Sequence, residues 1–272
     1  MESTVAWSLS AEWRSLAFTA MITVVTSVWC YVGRTWSFPS LALAMYLPGF
    51  LSFFFTPETF LNYLAQVLGV GRFQEAVAWS AVGAALAVVI VGSCLAMDLL
   101  LGWAHMTPPD IHNKQQQGRT SWTAVADFLA AGGEELGWRC FLLPTLISVY
   151  SPLKALTLCG MAWGLFHVPV MVLLTRRLKT PRPLLTITVQ AIAVLLAAFP
   201  HGFVAIMSGY SVWSSTTMHF VWNTINPRLL GSIYMQTPGQ VTGPQWLING
   251  EGLMGCLVQG VTILCWLLCF GL

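Results

Sequence analysis

The feature that most constrains this chain is a series of long apolar segments with almost no charged residues. Of its 272 residues, 56% are hydrophobic and only 8% are charged, whereas an ordinary soluble domain has roughly 25% charged residues. This composition excludes a disordered chain and a soluble enzyme. The net charge of +2 is too small for a protein that binds a nucleic-acid backbone. The composition therefore predicts a protein that crosses a membrane several times.

Eight apolar segments are candidates for transmembrane helices, which need about 20 mostly apolar residues. They are residues 16–32, 41–55, 76–101, 122–149, 153–174, 184–199, 203–224 and 253–270. The second and sixth segments are short, and polar residues interrupt the seventh. We predict an all-α, polytopic transmembrane helical bundle of about eight spans, which forms a single membrane-embedded domain over residues 1–272.

Lys and Arg residues are distributed unevenly between the two sides of such a bundle. One side has eight of them: Arg34, Lys114, Arg119, Arg176, Arg177, Lys179, Arg182 and Arg228. The other side has three, namely Arg14, Arg72 and Lys154. Because cytoplasmic loops carry the excess of Lys and Arg, we expect the first side to be cytosolic and both termini to lie on the opposite side.

The fourth predicted span contains three ionisable side chains, Glu134, Glu135 and Arg139. Each costs roughly 2.5 to 3.5 kcal/mol to insert, so intramembrane charges are candidates for a functional site. Glu135 and Arg139 are separated by four residues and can pair on one helix face. Glu134 points about 100° away from Glu135 and has no partner on its own helix. Two interpretations remain, an inert ion cluster between helices and a functional site centred on Glu134.

Other residues of the third and fourth spans predict features of packing rather than chemistry. Gly132 and Gly133 lack side chains and would let another backbone approach the helix closely. Pro144 predicts a kink later in the same span. Asp98 lies near the end of the third span, where we expect an interfacial position.

Two further spans contain polar residues that a membrane helix does not need. The fifth span contains His167, and the seventh contains His219 and Asn223, which lie four residues apart and so share a helix face. A single histidine in an apolar helix is usually satisfied by a backbone carbonyl. However, with a rise of about 1.5 Å per residue, Glu134, His167 and His219 all lie in the cytosolic half of the bilayer. We therefore expect them to meet in one cavity that opens to that side.

Three motifs in this order resemble the Abi (CPBP) family, which comprises type II CAAX prenyl endopeptidases and bacteriocin-processing intramembrane proteases. The motifs are Glu134-Glu135-x-x-x-Arg139, then Trp163-x-x-x-His167, then His219-x-x-x-Asn223. They lie on separate hydrophobic segments between Trp122 and Asn223. The family commonly has Phe at the position of Trp163.

The resemblance implies an intramembrane endopeptidase with residues 122–224 as its catalytic core. Glu134 and His167 would activate a water molecule, and His219 and Asn223 would bind the oxyanion. Glu135 and Arg139 would hold the fourth helix in register. The implied substrate is a prenylated or membrane-embedded peptide, and the implied partners are this substrate and membrane lipids, without nucleic acid.

Three alternatives remain open from the residues alone. Glu134, His167 and His219 could supply three zinc ligands, although we favour a reaction without metal or other cofactor because no H-E-x-x-H pair is present. The same cavity could belong to a membrane enzyme that acts on a lipidic small molecule by amide hydrolysis, acyl transfer or cyclisation. The polar residues could instead line the path of a transporter or belong to a non-catalytic immunity factor.

Overall fold

The computed structural model describes residues 10–108 and 121–270, and this part of the chain is almost entirely helical. The α-helices are α1 (Ala11–Val32), α2 (Phe38–Ala42), α3 (Leu47–Phe55), α4 (Phe60–Val67), α5 (Phe73–Leu100), α6 (Ser121–Glu135), α7 (Leu143–Ile147), α8 (Pro152–Arg177), α9 (Pro183–Met207), α10 (Val212–Leu229), α11 (Gln245–Ile248) and α12 (Leu253–Phe270). Short 3₁₀ helices cover Gly33–Thr35 and Leu43–Tyr46, and a π-helical segment, Leu136–Leu142, joins α6 to α7. Strands β1 (His105–Met106) and β2 (Val241–Thr242) form a small antiparallel ribbon.

Six helical stretches in the described residues are long and apolar enough to cross a membrane. They are Ala11–Thr35, Phe38–Phe55, Phe73–Leu100, Pro152–Arg177, Pro183–Met207 and Gln245–Leu268. The fourth and seventh predicted spans are also helical, but α6 has only 15 residues before the π-helical segment, and α10, which carries His219 and Asn223, is not apolar enough. The predicted polytopic helical bundle is confirmed, with six spans recognised by length and hydropathy.

The boundary between the sixth and seventh predicted spans is wrong. We expected a break between Phe199 and Phe203, but α9 continues through Pro200 and ends at Met207. A proline removes one helical hydrogen bond, and packing within the bundle compensates for this loss. The helix ends where Gly209 and Tyr210 have φ angles of 62° and 63°, in the left-handed region that ends helices.

Glycines allow the helices around α6 to pack closely. A Cβ atom on Gly133 would lie 2.8 Å from the Met45 carbonyl oxygen and 2.9 Å from the Cα of Tyr46. The close approach predicted for Gly133 is therefore confirmed, and it brings the segment that precedes α3 against α6. In the same way, a Cβ atom on Gly160 of α8 would lie 2.7 Å from the Leu195 carbonyl oxygen of α9.

The predicted interfacial position of Asp98 is also wrong. Its side chain is completely buried, and the turn after α5 is hydrogen-bonded back to the same residue. In that turn, the backbone N–H groups of Trp103 and Ala104 donate to the Asp98 carbonyl oxygen. The prediction assumed that a charged group near the end of a span reaches water, and packing of the chain around Asp98 prevents this.

Candidate active site

The helical run that contains the two glutamates changes its geometry directly after them. Helix α6 ends at Glu135, and Leu136–Leu142 is π-helical. Such wide turns are rare and often mark functional sites. Pro144 has no N–H to donate, so a carbonyl one turn earlier loses its usual partner. The irregularity expected at Pro144 therefore lies in the turn that precedes it.

Glu135 is the centre of a buried cluster formed by two helices. Arg139 donates from Nη1 to Glu135 Oε1 over 3.2 Å, and both side chains are completely buried. The predicted pair between Glu135 and Arg139 is thus confirmed. His219 of α10 also donates from Nδ1 to the same oxygen, over 2.8 Å. This contact between α6 and α10 was not predicted.

Glu134 has its hydrogen-bond partner on another helix. The indole Nε1–H of Trp163 in α8 donates to Glu134 Oε2 over 2.7 Å, and the glutamate is only 2% exposed. Among the described residues, no Lys or Arg forms an ion pair with Glu134. The Arg139 guanidinium instead lies 3.8 Å from the centroid of the Trp163 ring. Trp163 therefore lies between the Glu135–Arg139 pair and Glu134, and its uncharged indole N–H is the donor to Glu134.

Three histidines have Nδ1 fixed by an acceptor, which determines the role of Nε2. His167 Nδ1 lies 2.9 Å from the Trp163 carbonyl oxygen, and His201 Nδ1 lies 2.8 Å from that of Ala197. A carbonyl only accepts, so Nδ1 carries the hydrogen in both rings. In His219 the acceptor is the Glu135 carboxylate. Hydrogen bonding at one ring nitrogen leaves the other available for chemistry.

One cavity brings together the predicted catalytic residues. Glu134, His167, His219 and Asn223 all line it, and its volume is about 300 Å³. This is at the lower end of the range for ligand sites, roughly 300 to 1,000 Å³. Glu135 and Arg139 are not part of the lining and lie buried behind it. Apolar side chains from α2, α8 and α9 form much of the remaining wall, including Phe38, Leu41, Phe166, Val170, Leu173, Ala193 and Val194.

Comparison with known families covers the part of the chain that contains the predicted catalytic residues. Residues 116–225 match the family model described as type II CAAX prenyl endopeptidase Rce1-like. Over these residues, which make up less than half of the chain, the sequence is similar to the Rce1-like family. The resemblance expected from the three motifs is therefore confirmed for a protease family, and all three motifs lie within the matched residues. No curated protein matches the chain.

The cavity also contains residues that the sequence analysis missed. His201 is 2% exposed and lines the cavity, and its Nε2 has no hydrogen-bond partner among the described residues. It was missed because it lies in the predicted break between two spans. Gln190 of α9 and Glu251, which precedes α12, also line the cavity. An amide in an apolar segment was the available signal for Gln190, whereas Glu251 lies just before the last predicted span, 253–270, and was not considered as a candidate.

The zinc alternative does not fit the geometry of the cavity. Among the described residues, no three His, Cys, Asp or Glu side chains are arranged to hold a metal ion. Glu134 and His219 instead have direct protein partners, Trp163 and Glu135. We therefore derive no step through a metal, and the expectation of a cofactor-independent reaction stays a prediction.

Proposed function

We propose that this protein is an intramembrane endopeptidase that cleaves a prenylated or membrane-embedded peptide. The observation that carries the proposal is the convergence of Glu134, His167, His219 and Asn223 on one cavity, although three different helices supply them. The Rce1-like match over residues 116–225 supports the protease class. We propose the substrate and the role of each residue from the geometry of the cavity.

Glu134 and His167 would activate the attacking water molecule. Trp163 holds Glu134 through Oε2, so Glu134 Oε1 is available for a water molecule in the cavity. Because His167 Nδ1 carries a hydrogen, its Nε2 offers a lone pair to the same water. The water oxygen attacks the substrate carbonyl carbon, and one water proton passes to Glu134, which acts as general base.

His219 and Asn223 would stabilise the oxyanion that this attack produces. His219 already donates from Nδ1 to Glu135, so its Nε2 can donate only when the ring carries a positive charge. The Glu135 carboxylate, which also accepts from Arg139, favours this state. The amide of Asn223 supplies a second donor. Each donor of this kind contributes about 3 kcal/mol to transition-state stabilisation.

Collapse of the tetrahedral intermediate completes the reaction. The carbon–nitrogen bond breaks, and the leaving nitrogen takes the proton held by Glu134. The products are a carboxylic acid and an amine, and Glu134 returns to its ionised form. Water is the only co-reactant, so atoms and charge balance.

The cavity wall and the charge distribution support the substrate class and the orientation. Phe38, Val170 and Leu173 belong to an apolar wall that suits a hydrocarbon chain such as a prenyl group. The residues between α8 and α9 are basic. By the positive-inside rule, this end of α8 therefore lies on the cytosolic side. We therefore propose that the cavity opens toward the cytosol, where prenylated peptide termini are found on membrane proteins.

The test is cleavage of a farnesylated CAAX peptide by the purified protein in detergent. We expect release of the C-terminal tripeptide and a loss of more than about 100-fold in rate for Glu134→Gln, because a general base contributes roughly 10² to 10⁴. The exposed Glu75 of α5 provides a matched control, and Glu75→Gln should keep full activity. Folded wild-type protein that leaves the peptide intact would contradict the proposal and favour a lipidic small-molecule substrate.

A further inference from the structure

A second carboxylate faces the same cavity from outside the matched family segment. Glu251 lies in the turn between α11 and α12, and it lines the cavity together with Gln190 and Tyr234. None of these three residues belongs to the motifs that led to the proposed function, so the function leaves this carboxylate unexplained.

A buried polar network fixes the backbone that presents Glu251. Asn249 is completely buried, and its Nδ2 donates to the carbonyl oxygen of Gly231 over 2.8 Å. Its Oδ1 accepts from Asn226 Nδ2 and from the backbone N–H of Glu251, each over 3.0 Å. Gln245 accepts a further bond from Asn249. A satisfied network of this kind rigidifies its surroundings, so the Glu251 carboxylate has a defined position.

The partners of Glu251 are neutral. Gln190 donates from Nε2 to Glu251 Oε2 over 2.6 Å, and Trp222, whose side chain also acts on Glu251, is uncharged. Within residues 10–108 and 121–270, no Lys or Arg forms an ion pair with Glu251. The positively chargeable groups that act on it are His167 and His219 of the proposed catalytic set.

One buried acceptor next to Glu251 has no hydrogen-bond partner. Gln190 is only 3% exposed, and its Oε1 has no partner in the described part of the chain. Burial raises the pKa of Tyr234 well above its ordinary value, so its hydroxyl stays protonated and adds no charge. A ligand that fits here brings N–H donors or a positive charge, whereas a carboxylate would be repelled.

We propose that Glu251 and Gln190 form a subsite for the amine side of the scissile amide. This inference rests on the proposed function, because peptide hydrolysis next to His167 releases a new amine. The donors on His219 and Asn223 would face the acyl oxygen, and the acceptors on Glu251 and Gln190 would face the leaving nitrogen. The subsite therefore fixes the direction in which the peptide lies and holds the ammonium group of the product.

The test uses two farnesylated peptides that resist cleavage and differ at one atom. In one, the scissile amide is replaced by CH₂–NH₂⁺, and in the other by CH₂–CH₂. Their dissociation constants are measured by titration of the detergent-purified protein at pH 7. We expect the ammonium peptide to bind at least about tenfold more tightly than the CH₂–CH₂ peptide, since a hydrogen bond to a charged group contributes roughly 1.5 to 3 kcal/mol.

Variants of Glu251 separate its contribution from that of Glu134. Glu251→Gln should reduce the preference for the ammonium peptide to below about threefold, whereas Glu251→Asp, which keeps the charge, should retain most of it. Glu75→Gln, at an exposed position, should retain all of it. The elution profile and thermal unfolding of each variant establish that it is folded.

The possible outcomes distinguish this inference from the proposed function. Equal binding of the two peptides to the wild-type protein, or an undiminished preference in folded Glu251→Gln, would overturn the subsite and leave the peptidase proposal standing. Binding of neither peptide would overturn the proposed peptide substrate and the subsite with it.

Discussion

At the scale of single residues, Trp163 connects the proposed catalytic groups. Its indole N–H holds Glu134, and its ring lies 3.8 Å from the guanidinium carbon of Arg139. The ring also makes edge contacts with His201 and His219, with centroid distances of 5.5 Å and 5.8 Å. The Phe that is common at this position in the Abi family could fill the same space, but it has no N–H group to donate to Glu134.

Trp163→Phe tests whether this hydrogen bond positions the general base. We expect kcat for the farnesylated peptide to fall about tenfold, because a hydrogen bond to a charged group contributes roughly 1.5 to 3 kcal/mol. KM should change little, because the ring that borders the cavity is retained. The measurement is steady-state cleavage, with thermal unfolding as the control for folding. An unchanged kcat would show that Glu134 does not need the indole donor.

The sequence predicted a side-chain contact correctly where both residues lie on one helix. The spacing of Glu135 and Arg139 indicated their contact, because a helix brings residues i and i+4 together. The contact between Trp163 and Glu134 crosses from α8 to α6, and that between His219 and Glu135 crosses from α10 to α6. Helical spacing contains no information about such contacts, so only packing decided them.

At the scale of helices, the position of α6 depends on a residue without a side chain. Gly133 precedes Glu134, and the Met45–Tyr46 backbone occupies the space that a Cβ would need. Any side chain at this position would push α6 away from its neighbour and displace the glutamates that follow it. Backbone contact of this kind is typical of helix packing in membranes.

Gly133→Ala should therefore destabilise the protein by about 1 to 3 kcal/mol, as overpacking does in other cores. Gly92 of α5 offers a matched control, because no atom of another helix in the described part of the chain lies within 4 Å of the place that a Cβ would take there. Gly92→Ala should be neutral or stabilise the helix by about 0.5 to 1 kcal/mol. Thermal unfolding in detergent compares the two variants. Equal stability of both would show that α6 does not depend on the close approach.

At the scale of the whole molecule, the distribution of basic residues predicts how the bundle lies in the membrane. Helix α8 has Lys154 in its first turn and Arg176 in its last turn, and both side chains are exposed. A helix of 26 residues is about 39 Å long at 1.5 Å per residue, which is enough to place its ends on opposite sides of the bilayer.

Single cysteines at the two ends of α8 test this orientation. With a thiol reagent that does not cross membranes, Arg176→Cys should be labelled only when the cytosolic side is accessible. Lys154→Cys should be labelled only from the opposite side. The unsubstituted protein measures the background of native thiols. The reverse pattern would place the cavity on the other side and contradict the proposed cytosolic access.

The sequence by itself determined the membrane class, the helical bundle and the residues that form the proposed catalytic set. These follow from local properties, since hydropathy and helical spacing act along the chain. Only the tertiary structure decided that α9 continues through Pro200 and that His201 and Glu251 face the cavity. It also decided that Trp163 and His219 bind the two adjacent glutamates. These features depend on which helices pack together, and pairwise contacts between distant segments leave no periodic signal in the sequence.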